Sequence, residues 1–75
     1  MIRRWENPDL GRYYVAVVTD DLFGGWNLSR FWGGCDSRRG GQLQQHFDDA
    51  ESIEEQLRRI ALRRRQRDYS GPDPA

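Results

Sequence analysis

Apolar and polar positions change their rhythm partway along this chain of 75 residues. Up to Phe47 they follow the two-residue period of strands, and after it the period of a helix. Tyr13-Tyr14-Val15-Ala16-Val17-Val18-Thr19 is rich in aromatic and β-branched residues. It is apolar on both alternating sets, which predicts a strand covered at least in part on both faces. Trp26-Asn27-Leu28-Ser29-Arg30-Phe31-Trp32 alternates, so Trp26, Leu28, Arg30 and Trp32 share one face. Gln42 to Phe47 predicts a third strand with Leu43 and Phe47 inward, and Ile2 to Trp5 fits an added edge strand. Turn-forming runs separate these segments: Asn7-Pro8-Asp9-Leu10-Gly11, Asp20 to Gly25, and Asp36 to Gly41. Gly33-Gly34 ends or bends the second strand. Connections this short favour antiparallel hairpins.

From about Asp49 to Arg67 the pattern predicts one helix. Ala50, Ile53, Leu57, Ile60 and Ala61 fall on one face at about 100° per residue. Leu62 lies opposite and is expected to be exposed. Asp48 or Asp49 suits the N-cap, and Asp48 with Glu51 has capping-box spacing. Glu54–Arg58 and Glu55–Arg59 are i,i+4 pairs in the favourable order. Tyr69 is placed to tuck the helix end onto the core, and Ser70 to Ala75 read as a frayed tail. The expected fold class is α+β, a small antiparallel sheet of about four strands with one C-terminal helix across a face. The expected organisation is a single domain over 1–69 with a tail over 70–75.

Composition narrows the class. Thirty-two per cent of residues are charged and the mean hydropathy is −0.98, values near those of disordered chains. Three Trp, three Tyr and three Phe supply the apolar area that a small core needs. The longest apolar run, Tyr13 to Val18, falls far short of the ~20 residues that span a bilayer. The first residues lack a secretory signal pattern, and the lone Cys35 cannot form an intrachain disulfide. A cytoplasmic location and no membrane association are expected.

Twelve Arg balance twelve acids, with no Lys. The balance is not local. Residues 48–57 carry five acids and no base, and residues 58–67 carry six Arg and no acid. The first block suits a helix N-terminus and the second its C-terminus. Six Arg in ten residues also make a candidate phosphate footprint, because two neighbouring Glu neutralise at most two of them.

Catalytic chemistry is poorly represented. Cys35 and His46 are the only thiol and imidazole, and a nucleophilic pair needs them in contact with an orienting third group. A buried Cys35 and an exposed His46 are the plainer expectation. One Cys and one His do not make a structural zinc site, which takes four ligands. The paired Asp20-Asp21 and Asp48-Asp49 sit where turns and caps need them. No glycine-rich phosphate loop is spelled out. Neither enzyme activity, nor a cofactor, nor a metal is expected.

Taken in order, Tyr13-Tyr14-Val15, Asp21-Leu22-Phe23-Gly24-Gly25-Trp26-Asn27-Leu28 and Arg30-Phe31-Trp32-Gly33-Gly34-Cys35 resemble the WGR domain. Gly40-Gly41-Gln42, Phe47-Asp48-Asp49, the Arg-rich helix and Asp68-Tyr69 continue the likeness over roughly residues 2–69. The chain looks most like the small stand-alone bacterial WGR proteins. The resemblance implies the same small antiparallel sheet with one helix. It also implies DNA contact near strand breaks and contact with neighbouring domains, as in the DNA-dependent poly(ADP-ribose) polymerases, with the family tryptophan against a terminal sugar. That role falls on Trp32. The family tripeptide Trp-Gly-Arg is Trp32-Gly33-Gly34 here, so the arginine's role falls on nothing. The family's position at Cys35 is usually aliphatic, in keeping with a buried thiol.

The sequence thus points to a non-enzymatic module that binds a DNA end or nick, or another nucleic acid. Trp32 with Gly33 would meet a strand terminus, while Arg30, Arg38 and Arg39 contact phosphate. Arg58 to Arg67, with Arg58, Arg59 and Arg63 foremost, extend the footprint if that end of the helix lies on the same side. The rival is a protein-interaction module anchored by exposed Trp32 and Phe31, which the neutral overall charge favours. Oligomeric state is not legible.

Overall fold

The computed structural model describes residues 1–34 and 40–74. Cys35, Arg38 and Arg39 lie outside the described residues, and so do the expectations placed on them. Five antiparallel strands, β1 (Ile2–Asn7), β2 (Arg12–Asp20), β3 (Trp26–Gly34), β4 (Gly40–Phe47) and β5 (Ser70–Pro74), form one sheet with the helix α1 (Ala50–Gln66) packed on it. The fold is α+β, as the two periods predict. Strand order is β4-β3-β2-β1-β5. The first four strands form a meander, and the chain returns through the helix to add β5 outside β1.

Two expectations change here. Ser70–Pro74 is a strand, not a frayed tail, and β1 is therefore an interior strand, not an edge. Ser-Gly-Pro-Asp-Pro has no apolar alternation to reveal it. What recruits it is the unpaired side of β1, whose N–H and C=O groups need partners. The two strands can close together because residue 71 is Gly. A Cβ there would stand 2.7 Å from the Arg4 carbonyl oxygen and 3.1 Å from the Trp5 ring, and its φ of +131° suits only Gly.

The core lies between one sheet face and α1. Trp5, Tyr14, Ala16 and Leu28 from the strands meet Ile53, Leu57 and Ile60 from the helix. Trp5, only 2% exposed, is the central tryptophan. Trp26, on the same face of β3 as the buried Leu28, is only half-buried at the margin, because it stands at the first position of the strand. Leu57 is buried and Leu62 exposed, as the helical phase predicts. Leu43 does lie on the helix-side face, yet it is exposed because no part of α1 covers it.

The helix caps as its charges suggest, with local exchanges. Asp49 is the N-cap, its carboxylate accepting from Ser52 N–H at 2.6 Å. Asp48 instead bonds His46 Nε2 at 2.9 Å, so the expected box with Glu51 is replaced. Glu55 takes both Arg58 and Arg59, at 2.9 and 3.3 Å, in place of the expected Glu54–Arg58 pair.

A candidate nucleic-acid interface

The path of α1 creates the site. The helix starts just after Phe47, at one end of β4. It finishes beside β1, where the buried Asn7 side chain donates to the Arg67 carbonyl at 3.2 Å and accepts from Leu10 N–H. These are opposite corners of the sheet. A 17-residue helix is ~25 Å long, so one crossing leaves the corner formed by the end of β3 and the start of β4 uncovered.

The ladder places a row of residues across that corner. Trp5 pairs with Tyr14, Tyr14 with Trp32, and Trp32 with Gly41. Trp5 meets Tyr14 edge-on, with centroids 6.0 Å apart. Tyr14 and Trp32 stack at 6.0 Å with planes only 13° apart. At the end of the row the Trp32 indole lies flat over Gly41. A Cβ on Gly41 would sit 2.5 Å from Cζ2 and 2.7 Å from Cε2, so only Gly leaves the indole where it stands. One tryptophan is thus locked in the core, while Trp32, in line with it, stays 37% exposed.

Arginines surround this ring. The Arg64 guanidinium stands 4.2 Å over the Tyr14 ring and 5.0 Å over Tyr69, a cation–π arrangement. Arg30 projects beside Trp32 and donates to the Gln45 side-chain oxygen. The resulting open depression of about 800 Å³ is lined by Arg12, Arg30, Arg64 and Arg67, with Trp32 and Leu43 among its apolar residues. Among the described residues no acidic side chain lines it. Among the described residues none of these four Arg has an ion-pair partner, and Arg30 Nε and Arg64 Nε are buried donors without an acceptor. Four guanidiniums gathered on a chain of zero net charge give the depression a local positive potential.

Of the residues named from sequence, Trp32, Gly33 and Arg30 come together here. Arg58 and Arg59 do not. They face another part of the surface with Asp49 and Glu51, and both are tied to Glu55. Arg63 is exposed and does not line the depression. Phe31 pairs with Val15 and faces the opposite side of the sheet from Trp32, so the two cannot anchor one partner on one face. Arg12, Tyr14 and Gly41 were not read as site residues, and Arg64 and Arg67 were read only as part of the Arg-rich run 58–67, not singled out within it. A signal for two of them was present, since Ile53, Leu57, Ile60, Arg64 and Arg67 form one stripe at helical spacing, apolar residues giving way to Arg.

The far end of the sheet is acidic and holds no comparable cluster. His46 bridges Asp21 at 3.1 Å and Asp48 at 2.9 Å. The Phe23 N–H holds the Asp21 carboxyl below its ordinary value, helped by Asn27 and His46. Ser52 N–H does the same for Asp49, and Arg58 with Arg59 for Glu55. Among the described residues no group of three or more His, Cys, Asp or Glu could hold a metal ion, and no helix is long and apolar enough to cross a membrane.

The family model for the WGR domain matches residues 3–74, nearly the whole chain and β5 included. This chain belongs to the WGR domain family. No curated protein and no solved structure matches it. The WGR family is often linked to nucleic-acid binding. Trp32, on which the resemblance places the family tryptophan, is the partly exposed ring of the depression, and Gly34 pairs across the ladder with Arg12.

Proposed function

We propose that this WGR chain is a non-enzymatic module that binds nucleic acid, with a DNA end or nick as its target. One observation carries the reading. Trp32, 37% exposed, lines a depression that among the described residues holds four Arg without an ion-pair partner and no acidic side chain. The arginines neutralise phosphates, and the exposed part of the indole packs against a sugar or base that a strand interruption leaves uncovered. Tyr14 and Gly41 hold the indole in its plane, so little ordering remains to be done on binding.

The test compares duplexes of one sequence in three forms: closed circle, nicked circle and blunt linear. Affinity should rank nicked and linear above closed. It should fall with log salt by ~0.9 in log affinity per phosphate contact. Trp32→Ala should remove about 1–3 kcal/mol from binding to interrupted DNA and little from the closed circle. No affinity for any form at low salt, or equal affinity for all three, refutes the proposal. The protein-interaction reading loses its expected anchor, because Phe31 and Trp32 lie on opposite faces.

A further inference from the structure

The end of the molecule opposite the depression carries an apolar tip. The β2–β3 turn projects Leu22 and Phe23 with 97% and 98% of their surfaces exposed. The turn is not loose. Asp21 Oδ1 accepts from Phe23 N–H at 2.9 Å, the Asp21 carbonyl accepts from Gly24 N–H at 3.1 Å, and Asp21 N–H donates to Gly25 at 3.1 Å. His46 Nδ1 holds the same Asp21 side chain from β4. Two adjacent large apolar side chains held out in water mark a contact surface more often than an accident. Their neighbours are acidic: Asp20 and Asp21 adjoin them in the chain, and Asp48 lies across His46.

The described surface contains a complement to this tip. The depression at the other end is basic where the tip is acidic, and Trp32 and Leu43 give it apolar surface for Leu22 and Phe23. Its volume of about 800 Å³ exceeds what two side chains fill. Tip and depression are separated by the length of β3, nine residues or ~30 Å, so one copy cannot dock on itself. We infer that the Leu22-Phe23 tip of one copy docks into the arginine-lined depression of a second, head to tail. The inference goes beyond the nucleic-acid reading and needs no DNA.

Such a contact is heterologous. It leaves a free tip and a free depression at the two ends, so it propagates into short open chains unless the rotation closes a ring. Two side chains and their acidic neighbours bury less than the ~1,200–2,000 Å² of a standard interface. Association is therefore weak and confined to high protein concentration. Salt weakens it further by screening the charges.

The test is sedimentation of the full chain from about 10 μM to about 1 mM, without DNA, at low and high salt. Average mass should rise with concentration and the rise should shrink in high salt. Phe23→Ser removes the tip, and Arg67→Glu reverses one charge at the rim of the depression. Both side chains are exposed, and far-UV circular dichroism checks that each variant folds. Each alone should associate at least ~10-fold more weakly than wild type. Mixed, they should form a dimer and stop there, because the only live tip then meets the only live depression. A wild type that stays monomeric throughout overturns the inference and leaves the tip for another protein. A dimer that survives Phe23→Ser overturns it too, by placing the contact elsewhere. Neither result touches the DNA proposal, which stands or falls on binding to the three duplex forms.

Discussion

Replacing Gly41 with Ala adds one methyl group beneath the Trp32 indole. That methyl would start 2.5 Å from Cζ2, 2.7 Å from Cε2 and 2.9 Å from Nε1. Carbon atoms at ease stand about 3.5–4.0 Å apart, so the ring must lift by roughly 1 Å or swing out. Trp32 is partly exposed, so the indole yields more readily than the backbone. Leaving its place forfeits the stack on Tyr14, worth about 0.5–1.5 kcal/mol. Ala in place of Gly also restricts the unfolded chain, which returns about 0.4–1 kcal/mol where the backbone permits it. The two nearly cancel, so stability should change by less than about 1 kcal/mol. Binding does not share the compensation. An indole out of plane loses base or sugar stacking of about 1–3 kcal/mol, a fall of roughly 5- to 150-fold in affinity for nicked duplex. Urea denaturation reads the first quantity and fluorescence anisotropy the second. Near-UV circular dichroism should show the Trp–Tyr signal weaken. If Gly41→Ala binds nicked DNA like wild type while Trp32→Ala does not, the plane held by Gly41 is irrelevant to binding and the argument fails.

Three further outcomes follow from the same structure. Trp5→Ala should cost about 3–5 kcal/mol in urea denaturation and Trp26→Ala clearly less; equal losses would put the centre of the core elsewhere. With four Arg engaged on duplex DNA, the slope of log affinity against log salt should be about −3.6. Arg64→Gln and Arg67→Gln should each make it shallower by ~0.9, whereas Arg58→Gln and Arg59→Gln should leave it unchanged. In acid, Asp49 should show its capping role. Ser52 N–H holds its carboxyl below the ordinary 3.8 in the folded chain, so its stabilisation is complete above that value and is lost as pH falls through the lower folded one. Asp49→Asn, which caps without a charge, should flatten the acid limb of a Tm–pH curve, and an unaltered limb would count against the cap.

Local pattern alone was enough for the meander and the helix. Alternation in Trp26–Trp32 and a stripe through Ile53, Leu57 and Ile60 are consequences of strand and helix periods, which act between near neighbours. The helix stripe even foretold Arg64 and Arg67 on the inward face, had it been followed past the last apolar residue. The WGR likeness was equally a matter of local words, chiefly Leu22-Phe23-Gly24-Gly25-Trp26 and Trp32-Gly33. Other features depend on partners distant in the chain. Ser70–Pro74 became a strand because β1 offered it an unpaired edge. Which tryptophan is buried was settled by register, which stacks Trp5, Tyr14, Trp32 and Gly41 across four strands. The depression exists because one helix pinned at Phe47 and at Asn7 must cross the sheet from corner to corner. Periodicity tells a residue which face of its own element it occupies. Whether another element covers that face depends on crossing direction and register, and these are set by contacts far apart in the chain, such as Asn7 with Arg67, 60 residues on.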